Sequence, residues 1–396
     1  MDRSELVELL SPEGLRLLDS LPPYDAHGNV VARVSALRKA GHAPGLVAAV
    51  LGQSKLRGKA GPKFGDFASR MLFTEAGLEQ ATRLRVAALH AGRFQAAGLS
   101  RVADLGCGIG GDAMAMAALD LAVTAVDADE VTATVASYNL APFPSATVVH
   151  SNAEDVDLAG FDAAWLDPAR RTAGHTNTTR LTRSEDYSPS LDFVFGLSER
   201  MPIGVKLGPG HDRDQIPPDA EAQWVSVEGQ LVEMALWFGV LARPGIRRSA
   251  LLLTPGGVAE MTAAADSADA PVGELGDYLY EPNGAVIRAR LIGDLARTLG
   301  AEMLSEGLAY LTAPTLTPTP FATAFRVLES LPVDEKKLRL ALAERQIGTL
   351  EIKKRGVDVD PATLRTRLKL KGSESATLVL TRAAGHRVAL LVERVR

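Results

Sequence analysis

The sequence holds a single cysteine, Cys107, among its 396 residues. One thiol excludes an internal disulfide and any metal site made of clustered cysteines. The seven histidines are scattered without the spacing of metal ligands, so no bound metal is expected. Long apolar runs are missing too: no stretch reaches the roughly eighteen apolar residues that a membrane helix needs. The start, MDRSELVELLSPEG, mixes acids and bases where a signal peptide would carry an apolar core. A cytoplasmic chain without membrane attachment is the expectation. Composition excludes disorder, since 46% of residues are apolar and 23% charged. The length exceeds what one ordinary core encloses and predicts two or three domains.

The formal charge of −5 hides an asymmetry. From Lys336 to Arg396, fifteen Lys and Arg stand against six Asp and Glu, a surplus of nine that leaves −14 for the rest of the chain. A basic end of this kind is either a nucleic-acid footprint or a solvated face that keeps a small domain soluble.

Three stretches differ in pattern. Residues 1–95 read as helices: Ser11-Pro12-Glu13 is a cap followed by Pro at the first helical position, and Asn29 opens a helix that stops at Gly41. Within this stretch RGKAGPKFGDFASR, residues 57–70, reads as a glycine-rich loop between helices. Residues 96–265 alternate short β-branched runs (RVADL, AVTAVD, TVVH, FDAAWLD, IGVKL) with helical segments, the signature of a doubly wound, mostly parallel sheet. ADSADAPVG, residues 265–273, reads as a linker. Residues 272–396 read as a small basic α+β domain that ends in a hairpin, with Asp360-Pro361 opening its last helix. The fold class is therefore α/β, Rossmann-like, with a helical N-terminal region and an α+β C-terminal domain.

VADLGCGIGGDA, residues 102–113, packs four glycines into six positions at the end of a strand. Gly106, Gly108 and Gly111 satisfy the dinucleotide pattern G-x-G-x-x-G, with Asp127 placed for a ribose. The same residues also read D-x-G-x-G-x-G from Asp104. A carboxylate at that strand end repels a pyrophosphate and suits a ligand bearing an ammonium and a sulfonium, as S-adenosylmethionine does. Asp112 reads as a first-turn acid favoured by the helix dipole.

On these residues the chain resembles the class I S-adenosylmethionine-dependent methyltransferases. The resemblance implies that Asp104 and the loop Gly106, Cys107, Gly108 and Gly110 pack on the methionine moiety. It implies that Asp127, with Ala128, takes the ribose hydroxyls, and that Asn152-Ala153 stands where an Asp-Ala pair contacts the adenine. Asp167, in WLDPARR, falls at the catalytic position. Asp167-Pro168-Ala169-Arg170 is similar to the Asp-Pro-Pro-aromatic tetrad of enzymes that methylate exocyclic amines, with Ala169 for the second Pro and Arg170 for the aromatic. DPARRTAG is also similar to the Asp-Pro-Pro-Arg segment of enzymes that methylate carbon 5 of uridine. That chemistry needs a cysteine nucleophile, and the one cysteine lies in the glycine loop, which leaves a base nitrogen or a ribose oxygen as the acceptor. Arg170 and Arg171 read as substrate-phosphate or base contacts, or as a salt bridge beside Asp167. TNTTRLTRSEDYS, which follows, reads as a substrate-gating loop. Lys206, ending the fifth strand, reads first as a snorkelling side chain, with reach into the cleft as the alternative.

Past Ile287 the tail resembles the THUMP-like domain of a bacterial methyltransferase group, carried mostly by GTLEIKKRGVDVDPATLRTRLKLKG. True THUMP domains bind RNA, so the resemblance implies tRNA or rRNA as partner and Lys353, Lys354 and Arg355 as substrate contacts. IKKRG also fits an edge strand protected by lysines. The competing readings are a small-molecule methyltransferase, and an RNA-binding protein whose methyltransferase domain is inactive.

Overall fold

The structure, a computed structural model, describes residues 1–25, 28–170 and 184–395. The chain divides into two compact units, Met1–Leu207 with Trp237–Ala242, and Gly208–Leu236 with Arg243–Arg396.

The first unit is built on five parallel strands: β1 (Arg101–Leu105), β2 (Ala122–Asp127), β3 (Ala146–His150), β4 (Ala163–Leu166) and β5 (Ile203–Leu207). Their order is β3-β2-β1-β4-β5, with registers Val102↔Val123, Leu105↔Leu166 and Ala164↔Ile203. The chain leaves β1 in one direction for β2 and β3 and returns on the other side for β4 and β5. β1 is thus the switch point, where ligands bind at the carboxyl ends of the strands. Helices Gly111–Ala117, Glu130–Leu140 and Leu191–Ser198 connect strands, and all four residues of β4 are buried. That continuous burial is what helices on both faces of a parallel sheet require.

Helix starts follow their local signals. Ser11 accepts a hydrogen bond from the Gly14 amide at 3.0 Å, ahead of Pro12 at the first helical position. Asn29 caps Val30–Lys39, and Asp129, not Asp127, caps Glu130–Leu140. The expected loop at 57–70 is overturned. Helix Pro44–Phe64 runs through it with Pro62 inside, and a 3-10 turn covers Gly65–Arg70. Tertiary bonds override the local signals here. Arg57 Nε donates to the Met71 carbonyl at 2.9 Å, and Phe64 is buried.

Helix Leu84–Ala96 buries His90 and Phe94 against Trp165 of β4 and Trp237. The two indoles lie 5.5 Å apart. Gly204 of β5 passes between them: a Cβ there would stand 2.7 Å from both rings, so only glycine admits this packing.

In the second unit Arg248–Thr254 pairs in parallel with Glu221–Val227 and forms a hairpin with Gly257–Ala263. Segment 265–273, expected as a linker, is held down within this unit. Asp266 pairs with Arg213 at 2.6 Å and with Arg248 at 2.7 Å, and Ser267 Oγ accepts from the Asp294 amide at 2.9 Å. A seven-stranded sheet follows in the order 302–303, 311–313, 278–282, 322–331, 386–394, 374–383, 347–354. Leu338, Leu342, Leu364 and Leu368 from helices Glu335–Glu344 and Pro361–Leu368 pack on Leu350, Ile352, Leu378 and Leu380. The terminal hairpin turns at Ala384-Gly385, both with positive φ.

Candidate functional site

β1, β2 and β4 end side by side, with Leu105 of β1 in register with Val126 of β2 and Leu166 of β4. Asp104 is buried on β1, and among the described residues neither carboxylate oxygen has a hydrogen-bond partner. Gly106 has φ +91, and a Cβ there would lie 3.0 Å from the carbonyl oxygen of Asp167. The Gly106 and Cys107 amides both donate to the Val126 carbonyl at 2.9 Å. The Gly108 amide donates to Asp127 Oδ2 at 3.0 Å, and the Asp129 amide to Oδ1 at 2.9 Å. The Gly110 amide closes the loop on the Cys107 carbonyl at 2.9 Å. The loop is therefore tied to β2 by hydrogen bonds, while Gly106 passes close to the backbone after β4.

Burial, then the charges of Asp112 and Asp167, push the Asp104 carboxyl well above the ordinary carboxylate range, against the pull of Lys206. Burial also raises Asp127, opposed by the two backbone amides it accepts from. The Cys107 thiol is pushed well up by burial and by Asp104 and Asp127, which disfavours its thiolate form.

Asp167, at the carboxyl end of β4, forms an ion pair with Lys206 of β5 through Oδ2. Lys206 Nζ also donates to Thr82 Oγ1 at 3.1 Å and to the Gln80 carbonyl at 3.4 Å. Asp112 is buried against His90, with Oδ1 2.9 Å from Nδ1. Burial opposes its ionisation, but the hydrogen bond and charge of His90, then Lys206 and Thr82, hold its carboxyl below the usual range. Lys206, Thr82, His90 and the pairing of Asp112 were not assigned to the site from sequence. The legible signal was Lys206 itself, since it lies near the end of the strand next to that of Asp167.

Pro168 is buried behind Asp167, and Ala169-Arg170 pairs antiparallel with Tyr187-Ser188. Arg171, and the following polar stretch up to residue 183, lie outside the described residues. Asn152 and Ala153 follow β3, where the Ser151 amide donates to the Asp127 carbonyl at 3.1 Å and Asn152 Nδ2 donates to Asp155 at 2.8 Å. The Ala128 carbonyl lies 3.0 Å from His150 Nε2. Lys353, Lys354 and Arg355 belong to the second unit, the two lysines on its edge strand Ile347–Lys354 and Arg355 just after it. Lys353 pairs with Glu281 at 2.8 Å, Arg355 lies over the Tyr310 ring at 5.3 Å, and Lys354 is exposed. Among the described residues no group of three metal-ligating side chains forms, and no helix is long and apolar enough to cross a membrane.

The geometry fits a positively charged ligand. Among the described residues an orphaned buried carboxyl precedes the glycine loop, and three further carboxylates, Asp112, Asp167 and Asp127, stand close enough to raise it. A switch-point loop of this kind, followed by an acid at the end of β2 and another just after β4, is the layout of a class I methyltransferase fold.

Comparison with known proteins agrees. An uncharacterized S-adenosylmethionine-dependent methyltransferase of Mycobacterium tuberculosis, found in two strains, is 34% identical over 352 residues, covering 86% of this chain and 93% of that protein. The chain belongs to the S-adenosylmethionine-dependent methyltransferases: it is an enzyme, and its cofactor is S-adenosylmethionine. Residues 322–394 match the THUMP domain-like family, and residues 2–60 match a domain of unknown function. The crystal structure of a proposed methyltransferase from Porphyromonas gingivalis covers all of both chains with a TM-score of 0.77 at 20% identity, which shows a shared fold.

Proposed function

We propose that this methyltransferase is cytoplasmic and modifies RNA, tRNA or rRNA, at a base nitrogen or a ribose oxygen. The observation that carries the reading is the THUMP domain-like match at 322–394, which falls in the chain's basic end. Residues 96–265 carry the cofactor and the chemistry, and the region 272–396 grips the substrate.

S-adenosylmethionine, when bound, supplies a methyl carbon already activated by its sulfonium, so the protein's task is alignment and exclusion of water. Asp104, Gly106, Cys107, Gly108 and Gly110 hold the methionine end. Asp127 and Ala128 hold the ribose, and Asn152 and Ala153 hold the adenine. Asp167 accepts a hydrogen bond from the acceptor group, with Pro168 fixing the turn behind it. Arg170 and Arg171 contact the substrate there, and Lys353, Lys354 and Arg355 contact it in the second unit. The raised Cys107 thiol supports nitrogen or oxygen as acceptor over carbon 5 of uridine, which needs a thiolate.

The test is to incubate the purified protein with labelled S-adenosylmethionine and tRNA and rRNA transcribed without modification, then to digest to nucleosides. A labelled nucleoside is expected. RNA that stays unlabelled, together with binding that does not weaken with salt, removes the RNA reading and leaves a small-molecule acceptor.

A further inference from the structure

Of the twenty Phe, Trp and Tyr residues, Phe67 alone is exposed. Its ring stands on the 3-10 turn Gly65–Arg70, 50% accessible. Side chains three apart eclipse on such a turn, so the exposed Arg70 shares the face of Phe67, while Ala68 is buried and Asp66 is the one acid present. The backbone leading to the ring is open: a Cβ on Gly61 or Gly65 would meet nothing within 4 Å. The turn is firmly mounted. Just beyond it, Asn139 accepts from the Leu72 amide at 2.8 Å and donates to the carbonyls of Leu72 at 3.0 Å and Ile109 at 2.9 Å. Gln53 brackets Phe73 in the same way, donating to its carbonyl at 2.6 Å and accepting from its amide at 3.1 Å. Ile109 belongs to the glycine loop, so one buried amide serves both the turn and the cofactor site.

A single exposed ring is ordinary; the charge around this one is not. Residues 30–93 hold eleven Lys and Arg against three Asp and Glu. Some of these cations have structural work: Arg57 is committed to Asp19 and the Met71 carbonyl, and Lys63 Nζ donates to the carbonyls of Leu78 at 2.7 Å, Glu79 at 2.6 Å and Ala81 at 2.9 Å. Burial, then the charges of Arg83 and Lys206, push the Lys63 ammonium down to about 8, so the local field is positive. Others face outward. Lys55 and Lys59 are exposed four residues apart on one face of helix Pro44–Phe64, which leads into the turn. Lys59 has a loose 3.8 Å pairing with Glu75, and Lys55 and Arg70 have no ion-pair partner among the described residues. An exposed ring beside outward cations is the combination that holds single-stranded nucleic acid, since every base has a π-face and every linkage a phosphate. A membrane surface needs an apolar face wider than one ring.

We propose that the turn Gly65–Arg70 and the outer face of the helix before it bind single-stranded RNA, with Phe67 stacking on a base and Arg70, Lys59 and Lys55 on the adjoining phosphates. This rests on the RNA reading of the proposed function, and it gives the N-terminal helices a task in holding the substrate strand.

Fluorescence anisotropy across a salt series tests it, with full-length wild type, Phe67→Ala, Phe67→Tyr and Arg70→Ala against a labelled single-stranded oligouridylate and the unmodified tRNA and rRNA transcripts. Phe67→Ala is expected to weaken oligonucleotide binding by about five- to a hundredfold with the salt slope unchanged. Phe67→Tyr keeps wild-type affinity, and Arg70→Ala lowers the salt slope by about 0.7. Melting temperature and S-adenosylhomocysteine affinity stay at wild-type values in all three, because the substituted side chains are exposed. Wild-type affinity in both Phe67→Ala and Arg70→Ala overturns the inference and, as the wild type still binds, spares the RNA reading. A wild-type protein that binds neither oligonucleotide nor transcripts overturns both. Phosphatidylserine vesicles are the other arm: vesicle binding lost in Phe67→Ala while RNA binding holds assigns the ring to a membrane and overturns the site. The last measurement needs no variant. An oligonucleotide carrying 4-thiouridine is expected to cross-link on irradiation to the peptide that contains Phe67, and cross-links found only elsewhere overturn the site.

Discussion

Gly106 and Asp167 touch through backbone: a Cβ on the glycine would stand 3.0 Å from the aspartate's carbonyl oxygen. The glycine loop and the end of β4 are thus one piece of structure, and the loop's φ of +91 at Gly106 adds a second demand for glycine. Gly106→Ala meets both the backbone strain and the contact, and is expected to cost about 1–3 kcal/mol of stability. Affinity for S-adenosylhomocysteine falls with it. Thermal melts and calorimetry on the same sample check this; unchanged values in both contradict it.

Asp104 predicts a pH dependence. Its carboxyl is pushed well above the ordinary range, first by burial and then by Asp112 and Asp167. A bound cation favours the ionised form, so binding releases a proton, and affinity for S-adenosylmethionine rises with pH until the free carboxyl has itself ionised. For folding, the native state keeps a proton that the unfolded chain gives up. The contribution is complete below the unfolded pKa and is lost as pH rises through the folded one. Asp104→Asn is expected to flatten both slopes. Calorimetry across a pH series checks this, and a pH-independent wild-type affinity contradicts it.

Asp112 has the opposite sign. His90, Lys206 and Thr82 outweigh burial and hold its carboxyl low, so its contribution to stability is present above the unfolded pKa and is lost as pH falls through the folded one. Removing one partner of this buried pair leaves the other uncompensated, and Asp112→Ala is expected to cost about 3–5 kcal/mol. Urea unfolding near neutral pH measures it; a loss under about 1 kcal/mol, the level of an exposed pair, contradicts it.

Gly204→Ala places a Cβ 2.7 Å from atoms of Trp165 and Trp237. Neither indole has room to withdraw, and overpacking of about 1–3 kcal/mol is expected. A lowered melting temperature with a shifted tryptophan emission checks it.

Lys353 and Lys354 stand next to each other and are expected to behave differently. Lys354 is exposed, while Lys353 is committed to Glu281 at 2.8 Å and lies over Phe325 at 5.6 Å. Lys354→Ala is expected to weaken RNA binding across sequences and to reduce the salt slope by about one, without loss of stability. Lys353→Ala is expected to lower the melting temperature as well. Salt titrations of binding to the unmodified transcripts, with melts, separate the two.

What the sequence disclosed follows the range of the interactions involved. The five parallel strands announced themselves by apolar runs, and the caps at Ser11, Asn29 and Asp360 by residues acting on amides three positions away. The order of acid, glycine loop, second acid and third acid was also legible, because each closes a strand. The pairing of His90 with Asp112 and of Lys206 with Thr82 spans 22 and 124 residues, and no local pattern reports such partners. Residues 57–70 misled for the same reason. Glycines and Pro62 signal a loop locally, while Arg57 and Lys63 hold the helix from outside through Met71 and the 78–81 carbonyls. Segment 265–273 looked like a linker because Asp266 and Ser267 find their partners at Arg213, Arg248 and Asp294.

The central claim is that the ends of β1, β2 and β4 form a seat for a positively charged sulfur ligand. Its most direct test is calorimetric titration of S-adenosylmethionine, S-adenosylhomocysteine and NAD into the wild-type protein and into Asp127→Ala. Binding of the first two, loss of that binding in the variant and no uptake of NAD are predicted. A wild-type protein that takes up NAD and ignores both sulfur compounds contradicts the account.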